Sequence, residues 1–180
     1  DFLNHFLNCN NLHFNVSLDG FSPISHGKFR GNENPEIYNN IIRNIKILGE
    51  KGVLNGILVT PNIYSSIEEY INLCAFAKKC NARYVLMNPL SQFGRGEKAQ
   101  NLAFNNEQMN RLRKATQIFN DDNMEIVYIR FPNIDKKPLG ECVAGKIMYI
   151  FTNGDIAYCP YLVFASKDDG SLYSEKKFIL

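Results

Sequence analysis

Ser17 and Asp19, within the segment HFNVSLDGFSPISHGKFRG that runs from His13 to Gly31, have types and spacing suited to chemistry. Side chains two apart project to the same side of a strand. One hydroxyl and one carboxylate there could hold a ribose or an amine. Asp19-Gly20 is equally a turn signal, with Ser17 capping the loop that follows, and both readings stand at this point. Asp19 with His26 offers a third use, as an acid–base pair; otherwise His26, like His5 and His13, is expected to be structural or solvent-facing. Far downstream, Cys142 and Cys159 bracket the stretch CVAGKIMYIFTNGDIAYC. They are either two free thiols on a β-ribbon or a two-thiolate corner of a zinc site, although no CxxC and no nearby histidine supports the latter.

The elements that position these residues follow from periodicity. His13, Phe14 and Val16 suit a strand, and Gly20 opens a loop expected to last to Arg30-Gly31. Asn34-Pro35-Glu36 is a helix start. Ile37, Ile41, Ile45 and Leu48 continue that helix at 3.6 spacing to Gly49–Gly52. Val53 to Thr60 is a strand, Ser65 with Glu68 a capping box, and Ile67, Ile71, Cys74 and Ala77 the buried stripe of the next helix. Ala82 to Asn88 and Met124 to Phe131 are further strands, separated by a helix from about Asn106 that buries Met109, Leu112, Thr116 and Phe119. Strand and helix in alternation predict a parallel α/β sheet. Asn153-Gly154 predicts a two-residue hairpin turn. That turn sets Thr152 against Asp155 and Met148 against Cys159, leaving Cys142 ~20 Å beyond at ~3.3 Å per extended residue. The two sulfurs meet only if Ala144-Gly145 turns the chain back.

Composition narrows the classes. A chain of 180 residues, 45% hydrophobic and 21% charged, can bury one good core. A net charge of +2 with no block of like charges gives no case for a nucleic-acid or membrane partner. No apolar run approaches the ~20 residues of a membrane span, and DFLNHFLNCNN lacks the marks of a signal peptide, so a cytoplasmic protein is expected. Five cysteines (Cys9, Cys74, Cys80, Cys142, Cys159) at uneven spacing argue against a secreted disulfide framework. The opening also resembles the tail of a helix and loop already under way, as in a piece of a larger protein.

VSLDG, followed by a loop containing His26 and Arg30-Gly31, resembles the fourth strand and following loop of radical S-adenosylmethionine (SAM) enzymes. The subfamily it resembles carries a SPASM or twitch extension, as anaerobic sulfatase-maturing enzymes and peptide maturases do. The resemblance implies that Ser17, Asp19 and Arg30 hold SAM, with Asn62, after the next strand, facing it. NPLSQFGRG resembles the loop after the sixth strand, and the Cys142 to Cys159 stretch resembles the opening of a SPASM domain. Cys142 and Cys159 would then bind an auxiliary [4Fe-4S] cluster, incompletely ligated in this chain.

The implied fold is α/β: the second half of a partial (β/α)6 barrel, akin to a TIM barrel, over residues 1–131, then a C-terminal β-hairpin extension at 132–180 that begins the auxiliary domain. The implied activity of the complete oxidoreductase is reductive cleavage of SAM to a 5′-deoxyadenosyl radical that abstracts hydrogen from a peptide or protein. A flavodoxin or ferredoxin would supply the electrons. The CxxxCxxC loop that binds the main cluster is not in this sequence, so the chain alone is expected to be inactive, and no catalytic residue is assigned. Such a loop is expected within roughly one hundred residues upstream of Asp1, at ~30 residues per βα unit. Two other classes fit: a cluster-less peptide-binding or regulatory module of the same fold, and an unrelated β/α enzyme using Asp19 with His26.

Overall fold

Four short apolar runs pair in chain order. The computed structural model describes residues 11–90, 94–129, 148–151, 154 and 156–157, and the chain divides into two units, Asp1–Phe131 and Pro132–Leu180. In the first, β1 (Phe14–Ser17), β2 (Leu54–Val59), β3 (Tyr84–Met87) and β4 (Glu125–Tyr128) form a parallel sheet in the order β1-β2-β3-β4. Between them lie α1 (Pro23–Arg30), α2 (Pro35–Glu50), α3 (Ile67–Lys79), 3-10 turns over Gly94–Leu102, and α4 (Asn106–Thr116). The α/β expectation holds at this level. Sequential parallel strands joined by right-handed crossovers carry their helices on one face.

The register shows which face that is. Ile57, Val85 and Ile126 stand in one row across β2, β3 and β4 and are buried with Val59 and Met87. They share a core with Ile45 and Leu48 of α2, Leu73, Cys74 and Ala77 of α3, and Leu112 of α4. The opposite face presents a second row, Ser17, Leu58, Leu86 and Val127, which is only half-buried. Cys74 is a core residue, as its place on the apolar stripe predicts. Among the described residues no helix is long and apolar enough to cross a membrane.

Two local expectations are corrected. Gly20 to Gly31 is not all loop, because Pro23–Arg30 is helical: Ser22 accepts from the Ser25 N–H at 3.1 Å, Pro23 opens the first turn, and Gly31 closes the helix at φ 73°. The capping box of α3 is Ser66 with Glu69, one residue later than expected. The motif occurs twice in register, and Ser65 is drawn inward, where its hydroxyl donates to the Asp19 carbonyl at 3.4 Å. Asn34 does cap α2, accepting from the Glu36 N–H at 3.0 Å.

The second unit contributes an antiparallel pair, β5 (Tyr149–Ile150) and β6 (Ile156–Ala157). A hairpin is therefore present, but its register differs by one from that of a two-residue turn. Ile150 faces Ile156 rather than Ala157. Gly154 sits at φ 87° with its N–H on the Phe151 carbonyl at 2.9 Å, the glycine placement of three-residue hairpin loops. Thr152, Asp155 and Cys159, to which the expected facing pairs refer, lie outside the described residues.

Gly49 marks where α2 crosses the end of α3. An added Cβ would stand 2.9 Å from the Cys80 carbonyl carbon and 3.2 Å from its Cα. Gly49→Ala gains ~1 kcal/mol of helix propensity but overpacks against main chain, at a cost of roughly 1–3 kcal/mol. The expected net result is a lower urea-unfolding midpoint, by about 1 kcal/mol of stability; an unchanged or higher midpoint would mean that the helices part freely.

Candidate functional site

β1 ends at Ser17 and Leu18 turns into the core, so Asp19 lies past the last paired residue, where the strand pleat no longer directs it. Its side chain is 1% exposed. A carboxylate taken out of water is tolerated when it is paired and hydrogen-bonded, and every polar atom of Asp19 has a partner. Oδ1 accepts from the Thr60 N–H at 2.7 Å, and Oδ2 accepts from Arg30 Nε at 2.5 Å. Its N–H donates to His26 Nδ1 at 3.2 Å. Its carbonyl accepts from Asn62 Nδ2 at 2.8 Å and from the Tyr70 hydroxyl at 3.2 Å, besides Ser65. Gly20 permits this convergence, since a Cβ there would lie 2.8 Å from the main-chain nitrogen of His26.

Asn62, expected on a cofactor, is 0% exposed. Its amide nitrogen also reaches the Thr60 carbonyl at 2.9 Å, and its Oδ1 accepts from the Tyr64 N–H at 3.1 Å. Its own N–H donates to the Tyr70 hydroxyl at 2.9 Å. The amide therefore shapes the loop after β2 and has no atom left for a ligand. Asp19 is engaged in the same way. Sequence reasoning missed Tyr70, Thr60 and Ser65 as members of this node. Tyr70 follows four residues after the Ser66 cap, which puts it on the inward side of α3, and that spacing was the available signal. Burial pushes its phenol far above the ordinary tyrosine range.

Ser17 and Arg30 are placed differently. Ser17 lies half-buried in the row opposite the helix-packed core, and its hydroxyl has no hydrogen-bond partner among the described residues. Arg30 is held to Asp19 by Nε while its side chain stays 47% exposed, and no other partner of the guanidinium occurs among the described residues. The node thus fixes one edge of Arg30 and leaves the remaining donors outward. His26 meets Asp19 through the main-chain N–H and not through the carboxylate. With Nδ1 so occupied, the two do not form the hydrogen-bonded carboxylate–imidazole pair of an acid–base couple.

Cys142 and Cys159, the expected cluster ligands, lie outside the described residues, as do Cys9 and the Arg95 side chain. Cys74 and Cys80 are free and buried. Burial pushes the Cys74 thiol up to about 12 and raises that of Cys80, so neither offers a thiolate. Among the described residues no three His, Cys, Asp or Glu side chains gather to hold a metal. Of the four side chains expected on a cofactor, Asp19 and Asn62 are held in internal hydrogen bonds, whereas Ser17 and the outer edge of Arg30 are not. No protein-family model matches the chain, and no curated protein matches it.

Tyr70→Phe removes the acceptor of the Asn62 N–H, leaving that buried donor unpaired, and one of the three donors to the Asp19 carbonyl. The expected cost is about 1–3 kcal/mol, read from the urea midpoint. A loss below ~0.5 kcal/mol, the size of a neutral surface change, would remove Tyr70 from the node.

Proposed function

We propose that this chain is the second half of a partial (β/α)6 barrel from a radical SAM enzyme that modifies a peptide or protein. Ser17 and Arg30 contact the nucleotide, and Asp19 and Asn62 position the loops around it. The observation that carries the reading is the pairing of a Ser17 hydroxyl without a partner among the described residues with an outward Arg30 clamped by a buried carboxylate. Ser17 ends β1 and the Arg30 guanidinium, from the end of α1, reaches Asp19 two residues beyond it, at the end of the strand where parallel α/β folds collect ligand-binding groups.

Sequential strand order with one helix-covered face supports the half-barrel, since a closed barrel turns its other face to the lumen. Arg30 suits an anionic group, because a guanidinium fixed by one edge is already oriented for a carboxylate. The Ser17 hydroxyl can both donate to and accept from a ribose or an amine. Bound SAM and its iron–sulfur cluster would supply the radical chemistry. Cys142 and Cys159 remain the proposed auxiliary-cluster ligands, and flavodoxin or ferredoxin the proposed electron source.

The test uses the full-length product, purified anaerobically. Iron and sulfide should be present, and SAM with dithionite should release 5′-deoxyadenosine. Ser17→Ala and Arg30→Ala should each weaken SAM binding by roughly 5- to 30-fold, equivalent to about 1–2 kcal/mol, with an unchanged circular-dichroism spectrum as the folding control. A product without iron that binds no SAM would favour the cluster-less module.

A further inference from the structure

α1 has 8 residues, too few to be stable on its own, and it is fastened to a single residue at two points. His26 and Arg30, one turn apart on the same side of the helix, both end on Asp19. His26 Nδ1 accepts the Asp19 N–H, and Arg30 Nε donates to the carboxylate. His26 is 4% exposed, and the Asp19 N–H has no other acceptor among the described residues. The bond requires Nδ1 to be bare, with the ring proton on Nε2. We propose that His26 is a positioning residue that keeps Arg30 aimed at its ligand only while Nδ1 is unprotonated, so that the site loses affinity on acidification.

Protonation sets one N–H against another and adds a cation beside Arg30. The Asp19 carboxylate opposes this by favouring the imidazolium, while Arg30 disfavours it. The remaining groups come from the neighbouring elements. Tyr38 of α2 lies with its ring centroid 6.0 Å from the imidazole. Glu69 of α3 is tied to Ser25 at 2.7 Å, and Tyr70 of α3 reaches Asp19 from behind. Glu33 follows α1 and abuts Gly27, and Lys28 is exposed. Desolvation outweighs the rest, and His26 titrates below its ordinary 6.5. The sign follows from that direction. The unfolded chain takes up the proton first, so the stabilisation is fully present above pH 6.5 and is lost as pH falls through the lower folded value.

Regulation of the ligand site rests on the SAM reading of Arg30; the latch itself does not. The experiment therefore reads the latch without ligand. In the 180-residue chain, hydrogen exchange of the Asp19 amide is followed by NMR at about pH 7.5 and about pH 5, either side of the ordinary histidine range, relative to the intrinsic rate at each pH. Protection of the Asp19 amide should fall at the lower pH, the direction that linkage to His26 sets. His26→Asn, whose Oδ1 takes the place of Nδ1 and does not titrate, should keep Asp19 protection constant.

Two results would overturn the latch: constant Asp19 protection in the parent chain, or the same pH dependence in His26→Asn. If that variant does not fold, the parent titration and the imidazole nitrogen shifts, which report whether Nδ1 is bare, decide alone. SAM is then titrated at both pH values into the full-length product, purified anaerobically. Weaker binding at the lower pH extends the latch to the ligand, and pH-independent binding overturns that extension. No binding at either pH removes the SAM reading and leaves the Asp19 amide result standing.

Discussion

The burial of the Asp19 carboxylate constrains the end of the sheet where the candidate site lies. Removing a carboxylate from water costs several kcal/mol even after relaxation, and that cost is offset only if its oxygens find fixed donors. The donors come from two separate stretches of chain: the Thr60 N–H just past β2 and the Arg30 guanidinium at the end of α1. Neither can withdraw without stranding a charge. The ends of β1 and β2 and the whole of α1 are thus held at one relative position.

The same residue organises a second set of elements through its main chain. Its carbonyl gathers Asn62, Ser65 and Tyr70, so the loop after β2 and the first turns of α3 close around it. Glu69 then links α3 back to α1 by accepting from Ser25 while it caps its own helix at Ser66. A polar network buried in this way is worth keeping only when every member is satisfied, and no buried side-chain nitrogen or oxygen is left without a partner among the described residues. The consequence for function is a division of labour. Inward groups spend their hydrogen bonds on geometry, and Ser17 and the outer edge of Arg30 are left with donors to spare.

Much of the architecture was legible because it rests on local rules. The 3.6 spacing from Ile37 to Leu48, the Asn34-Pro35-Glu36 start and the apolar runs at Ile57–Val59 and Val85–Met87 each state an element within a short window. The misses share a cause. Ser22-Pro23 and Gly31 were present as start and stop signals for α1, but a two-turn helix shows too little apolar periodicity to outweigh a loop reading. Ser65 and Ser66 offer the same capping motif one residue apart, and the choice between them is made by a carbonyl 46 positions away. At the hairpin, Asn153-Gly154 marks a turn, yet the strand register depends on the left-handed Gly154 and its bond to Phe151.

By itself the sequence determined the alternation of strands and helices, their parallel class and the Asn34 cap of α2, because propensity, periodicity and capping act over a few residues. Only the tertiary structure decided which polar residues are free. Asp19, Asn62 and Ser17 look equally available as letters. Burial spends the first two on internal hydrogen bonds and leaves the third on an open face, and burial is a property of elements brought together from opposite ends of a βα unit, which no short window contains.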